Sequence, residues 1–451
     1  MTYSTNNIST EHIEKKRIAI IGAGLAGSLL ALKLSQQGYA VDVYERRSDP
    51  RALSAHAGRS INLGLSKRGM QALASVGLLE EVLKTAVVMR GRVIHFPDGS
   101  TKYQAYGKND NEVLHSIDRN ELNNLLLDHS EQYKDLKLHF NHKLVSAEKT
   151  KRLLEFSNEG RVVTVTPAWV IGADGAFSTM RKEMQYGERA DYQQEYLEWG
   201  YKELTLEAGS DGQSVIELSA LHVWPRNHCL FVSHPNLDGS HTLTLFLPFK
   251  GADSFQCLHT PADVRVLIDK YFPDLTPLLP SLLEQWDRHP VGALITTRTN
   301  QWSFEDWAVL VGDACHAVYP FFGQGMNSAF EDCYMLIALL AERPTDLATV
   351  FKTYEEKRRL HTDALAELSK QNFTELRQKV QSPWFHARKK LDVLLNKLFP
   401  SAWLPLYTMI AHTTIPYAEA RERARRQDNV INFGSAAIFC LIGISVVMLL
   451  S

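Results

Sequence analysis

Glycines at 22, 24 and 27 follow the apolar run Arg17-Ile18-Ala19-Ile20-Ile21 and lead into an apolar-periodic stretch from Leu25 to about Gln36. A second run, Ala40-Val41-Asp42-Val43-Tyr44, ends at Glu45. That acid lies roughly 20 residues beyond the glycines, where a carboxylate can accept both hydroxyls of an adenosine ribose. Gly22 suits a tight turn, Gly24 a close approach of backbone to pyrophosphate, and Gly27 close packing of helix on strand. Glycine-rich turns are common, but the preceding strand, the following helix and the spaced acid make this one specific. The chain is expected to bind an adenine dinucleotide.

Two further acids end short apolar runs. Asp174 follows Ala168-Trp169-Val170-Ile171-Gly172, and Ser178-Thr179 after it can cap a helix. By itself that motif reads as a strand–turn–helix junction. Asp313 follows Trp307-Ala308-Val309-Leu310-Val311-Gly312, and Pro320-Phe321-Phe322-Gly323-Gln324-Gly325-Met326-Asn327 comes soon after. Asp313 can bond a ribitol or ribose hydroxyl. Gly323 and Gly325 let backbone lie against a flat ring, and a helix starting near Met326 turns its positive end toward an electron-rich ring edge. His316 could be a base, but a satisfied supporting histidine is the plainer reading.

These residues must be placed by a chain of 451 residues, long enough for two or three domains. The 49 Lys+Arg against 51 Asp+Glu leave a formal net charge of −2, which implies no attraction to nucleic acid. The five cysteines are scattered without a CxxC pair, against a disulfide framework or a zinc site, and no metal is expected. The first residues are polar and show no secretory signal. Segments at 222–224 and 243–247 read as antiparallel strands, and from about Met326 the period is helical to Arg426. From Val430 to Leu450 the chain is apolar and uncharged after an arginine cluster at 421–426. At helical rise that reaches about 30 Å, enough to cross a bilayer. A membrane-spanning helix is expected there, a buried helix being the alternative. The expected fold is therefore α/β: a Rossmann-type domain in pieces (1–75, 107–181 and 291–341) that binds FAD or NAD, an inserted antiparallel sheet substrate domain (76–106 and 182–290), a C-terminal helical region (342–429) and a C-terminal transmembrane helix (430–451).

The three motifs, in this order, resemble the group A flavoprotein aromatic hydroxylases, relatives of para-hydroxybenzoate hydroxylase, over about residues 15 to 340. The resemblance implies one non-covalent FAD and a transient NADPH. It assigns cofactor contacts to Gly22, Gly24, Ala26, Gly27, Tyr44, Glu45, Arg46, Arg47, Gly64, Arg119, Leu144, Thr179, Asp313, Gly325, Met326 and Asn327.

A closer resemblance, over nearly the whole chain, is to the kynurenine 3-monooxygenase family. It is carried by Gly58-Arg59-Ser60-Ile61-Asn62-Leu63-Gly64-Leu65-Ser66, Met89-Arg90-Gly91-Arg92, Ala105-Tyr106-Gly107, Tyr319 to Asn327 and Leu404-Pro405-Leu406-Tyr407-Thr408-Met409. Gly64 stands where relatives often have alanine. The resemblance implies hydroxylation of L-kynurenine by O₂ through a flavin hydroperoxide, in tryptophan catabolism and NAD biosynthesis, with no side chain as catalytic acid or base. It places the substrate against Arg92, Tyr106, Asn372 and Tyr407, with Pro320, Phe321 and Phe322 as a dry wall. It also implies a membrane-anchored enzyme facing the cytoplasm, on a bacterial inner or mitochondrial outer membrane. From spacing alone the plainer readings differ: Arg92 paired with a surface acid, two core tyrosines and a solvent-facing asparagine. The rival functions are a related hydroxylase of a phenol or quinoline, a flavin reductase that does not activate O₂, and a flavin-fold binding module.

Overall fold

The computed structural model describes residues 17–52, 62–107, 112–379 and 382–450, without side chains for 279–281, 379, 383, 386 and 434–450. Residues 58–61 of the Gly58–Ser66 motif, and the polar start of the chain, lie outside it.

Short runs of β-branched and aliphatic residues form a six-stranded sheet whose four central strands are buried on both faces. Its order is Ser303–Phe304, Ala308–Leu310, Val170–Gly172, Ile18–Ile21, Val41–Tyr44 and Leu136–His139. All neighbours are parallel except the first pair. The chain leaves Ile18–Ile21 toward one side and later adds Val170–Gly172 on the other. Their carboxyl ends therefore flank the crevice where such sheets bind ligands. The main core packs here, from Ile18 to Tyr354.

A second sheet has seven strands: Gly292–Thr299, Tyr192–Leu206, His241–Pro248, Leu230–Pro235, Ala220–Pro225, Gly91–His95 and Thr101–Ala105. Both strands read from the sequence near 222 and 243 are in it. It is antiparallel except for one parallel pairing, Ala220–Pro225 with Gly91–His95. One face buries Trp224, Phe231, Leu243 and Leu245 against Phe272 and Trp286. The opposite face packs Val223, Leu230 and Phe246 against Tyr319, Phe321 and Phe373. That alternation is the period of two expected of a sheet buried on both sides.

The helices Gly325–Glu342, Leu347–Thr374, Pro383–Leu398 and Leu406–Ala411 follow, then a terminal helix Tyr417–Leu450. The expected transmembrane helix is corrected here. Among the described residues no helix is long and apolar enough to cross a membrane. Val430 and Phe433 continue a helix whose first turns carry Glu419, Arg421, Glu422, Arg423, Arg425, Arg426 and Asp428. Those first turns bury Tyr417 and Ala420 against Ala364, Leu365 and Leu368 of the long helix. The side chains of 434–450, where most of the apolar run falls, are outside the described residues.

Candidate functional site

At the glycine turn the three glycines do different things. Gly22 has φ +103°, closed to most side chains, and a Cβ there would lie 2.5 Å from the Ala173 carbonyl oxygen. A Cβ on Gly27 would lie 2.0 Å from the Gly22 carbonyl oxygen, so the helix Leu25–Gln36 sits hard on the turn. Gly24, the residue capping that helix, is different: a Cβ would meet nothing within 4 Å. The helix N-terminus thus opens onto free space, and Ala26 lies in its first turn beside Gly312.

Glu45 is buried, and its carboxylate accepts from the Ala23 amide at 3.0 Å and from Arg47 Nε at 2.8 Å. Burial raises this carboxyl, but Arg47 and the backbone amides outweigh it and hold it below the usual range. Arg46 and Arg47 are exposed. Tyr44 is stacked in the core between His139 and Phe156, at 4.7 and 4.2 Å, and its carbonyl accepts from the Gly22 amide. Leu144 is likewise buried in the core. Neither side chain lines the opening.

The second motif behaves as a junction. Asp174 accepts from Ser178 Oγ at 2.5 Å and the Met180 amide at 3.0 Å, and Thr179 begins the helix Thr179–Gln185. Arg181 then donates to the Ala314 carbonyl at 2.6 Å, tying this motif to the third.

Asp313 lies deep in the protein, yet its side chain is open to solvent, as on the wall of an internal cavity. It has no hydrogen-bond partner among the described residues. Being surrounded by protein raises its carboxyl, while His316 and Arg119 pull it back. Arg119, exposed at the start of the helix Arg119–Ser130, is the nearby cation. Gly325 begins the next helix with open space where a Cβ would be, and Met326 is half-buried beside it. Asn327 is fully buried: its amide nitrogen donates to the carbonyls of Gly64 (2.8 Å) and Gly323 (2.9 Å). Open glycines at two helix starts, an unpartnered carboxylate and a facing arginine fit a long ligand with phosphates and hydroxyls.

The seven-stranded sheet and the last short helix carry the residues expected around a substrate. Arg92 is half-buried in the strand Gly91–His95, and its Nε donates to Gln104 Oε1 at 2.9 Å. No acid pairs with it among the described residues. Tyr106 and Tyr407 stack with ring centroids 5.3 Å apart and share a hydrogen bond. Burial pushes the Tyr106 phenol up to about 12 and raises Tyr407 well above the usual phenol range, with Arg92 opposing both. Phe322 stacks toward Tyr407 at 6.2 Å, and Phe321 on Phe373 at 4.4 Å. Asn372 Nδ2 donates to the Phe321 carbonyl at 2.6 Å, and Pro320 opens the single turn Pro320–Phe322. Six of the seven residues expected around a substrate are thus joined by contacts or along the chain, and the Arg92 charge is felt by both phenols.

Several supporting residues escaped the sequence reading. Gln104 sits opposite Arg92 in the hairpin register, a pairing that a two-strand reading of 91–105 could have found. His316 is the satisfied histidine anticipated, bonded to Asp332 at 2.5 Å. Asp332 also accepts from Arg358 Nε at 2.7 Å and the Gly312 amide at 3.0 Å. No local signal marks Asp332 or Arg358, since they lie on separate helices.

The description "FAD binding domain" fits a family model that matches residues 15–235 and 285–369. A kynurenine 3-monooxygenase of Salinispora arenicola is 50% identical, covering 96% of this chain and 95% of its own length. One from Salinispora tropica is 50% identical over 94% of each. Among solved structures, 2-methyl-3-hydroxypyridine-5-carboxylic acid oxygenase superposes with a TM-score of 0.68 at 21% identity, covering 82% of this chain and 95% of the other. At that identity the likeness concerns the fold alone.

Proposed function

This chain belongs to the kynurenine 3-monooxygenase family of FAD-dependent monooxygenases, and from that premise we propose that it hydroxylates L-kynurenine to 3-hydroxykynurenine with NADPH and O₂. The observation that carries the substrate assignment is Arg92, a half-buried guanidinium with no acid partner among the described residues, near two half-buried, stacked phenols.

Arg92 grips the substrate carboxylate through the two terminal nitrogens that Gln104 leaves free, a planar fork that lysine lacks. Tyr106 and Tyr407 add hydroxyls without adding charge. Asn372 gives its amide nitrogen to Phe321, so its amide oxygen accepts from the substrate's ammonium group. The aryl ring then extends toward Pro320-Phe321-Phe322, which excludes water from the reacting carbon. Binding energy far from that carbon thereby fixes its position. The ring amine already enriches the adjacent carbon in electrons, so no side chain need remove a proton first.

Bound FAD supplies the reduction and oxygen activation. In this reading Gly22, Gly24, Ala26, Gly27 and the Arg119 guanidinium cradle its phosphates, and Glu45 with Arg46 and Arg47 its adenosine ribose. Asp313, Thr179, Gly64, Gly325, Met326 and Asn327 face the remainder, and Tyr44 and Leu144 support the adenine end from the core. The body around the six-stranded sheet is the cofactor side and the seven-stranded sheet the substrate wall.

The test is NADPH oxidation and O₂ uptake by purified protein with and without L-kynurenine, with the product identified by mass. The expected result is kynurenine-stimulated oxidation yielding 3-hydroxykynurenine. Faster turnover of a phenol or quinoline, or oxidation without a hydroxylated product, overturns the assignment.

A further inference from the structure

Arg68 has no place in the chemistry above, yet its side chain is fully buried. It lies on the helix Lys67–Ser75. Its guanidinium donates to the Thr413 carbonyl at 2.7 Å and to the Ile415 carbonyl, lies 4.2 Å over the Tyr417 ring and stands 3.6 Å from Glu331. Residues 413–415 directly follow the short helix Leu406–Ala411, which carries Tyr407.

The same segment grips the other half of the site. The Ser66 amide donates to Asn327 Oδ1 at 2.9 Å, and the Gly64 carbonyl accepts from Asn327. Gly69 packs so closely that a Cβ would lie 2.5 Å from Asn327 Oδ1. Tyr417 closes the circuit by donating to Gln324 Oε1 at 3.1 Å. One short stretch, 64–69, therefore touches both the loop carrying Gln324 to Asn327 and the chain behind Tyr407. A buried guanidinium holding two carbonyls tolerates little displacement, because any shift leaves polar groups unsatisfied away from water.

We infer that Arg68 is a positioning residue that holds the Tyr407 helix in register with the Gln324–Asn327 loop, so that the substrate ring stays at reacting distance from the cofactor. The last clause rests on the proposed reaction; the mechanical linkage does not.

The test uses the full chain and R68K, whose single ammonium cannot span both carbonyls. Hydrogen–deuterium exchange should rise several-fold at 412–417 and at 323–328 together. In FAD-loaded protein the hydroxylated product per NADPH should fall at least twofold, H₂O₂ making up the difference, and KM for kynurenine should rise. Faster exchange confined to 412–417, with product yield unchanged, overturns the inference. Should R68K fail to fold, Y417F decides, since it removes only the hydroxyl bonded to Gln324. It must loosen 323–328, and unchanged exchange there overturns the linkage. Wild-type protein that makes no 3-hydroxykynurenine sinks the proposed reaction while leaving the exchange result interpretable.

Discussion

In the proposed reaction, substrate selection turns on Arg92. Replacing it by alanine removes that cation and would leave the substrate carboxylate unpaired. The expected loss is about 2 kcal/mol or more in kynurenine binding, read as a raised KM or by titration calorimetry. An unchanged KM would take Arg92 out of the site. The glycine turn allows a sharper contrast. Gly24→Ala meets open space, so the apoprotein should melt as wild type does while FAD is held more weakly. Gly27→Ala drives a methyl into the Gly22 carbonyl and should destabilise the fold itself by about 1–3 kcal/mol. Comparing melting temperatures with and without added FAD separates the two. If Gly24→Ala binds FAD unchanged, that glycine does not face the cofactor.

Between residues and the whole stand the elements that hold the third motif in place. Asp332, on the helix Gly325–Glu342, draws together His316, Arg358 and the Gly312 amide. Burial raises its carboxyl, but His316 and Arg358 more than offset this and keep it ionised. Asp332→Asn leaves a buried cation short of one partner. The expected cost is about 3 kcal/mol of stability, measured as a lowered denaturation midpoint with FAD bound. A midpoint within error of wild type would mean that Glu331, 2.5 Å from Arg358, suffices alone. The motif strands and the helix starting at Gly325 were legible because their signals are local: an apolar run and a glycine turn. The network behind them was not, because its members come from the segments 312–316, 331–332 and 358 and meet only after packing.

For the molecule as a whole, the seven-stranded sheet imposes a dependence on acid. His222 and His241 are buried on it, and desolvation lowers them to about 4 and about 3. Neutral in the fold, they take up protons near pH 6.5 once unfolded. Stability from both is therefore full above that pH and is lost as pH falls toward their folded values. Denaturant midpoints should drop between pH 7 and pH 5 by on the order of 1 kcal/mol per histidine, and H222Q or H241Q should flatten the slope. A slope unchanged in the double variant would discard this account. The amino-acid order by itself determined the glycine turn, the carboxylates at the sheet edge and the alternation of the sheet strands. Each of these depends on neighbours within a turn or a strand, where dihedral limits and side-chain periodicity act directly. It suggested a bilayer-crossing helix from an apolar run, whereas the structure shows a charged helix that begins by packing on its neighbour, with no membrane-length apolar helix among the described residues. Tertiary structure alone decided which arginine would lack an acid, which histidine would be satisfied and which buried cation would brace two distant loops. Pairing and desolvation depend on what lies within a few ångströms in space, and that is fixed only when remote segments close on one another.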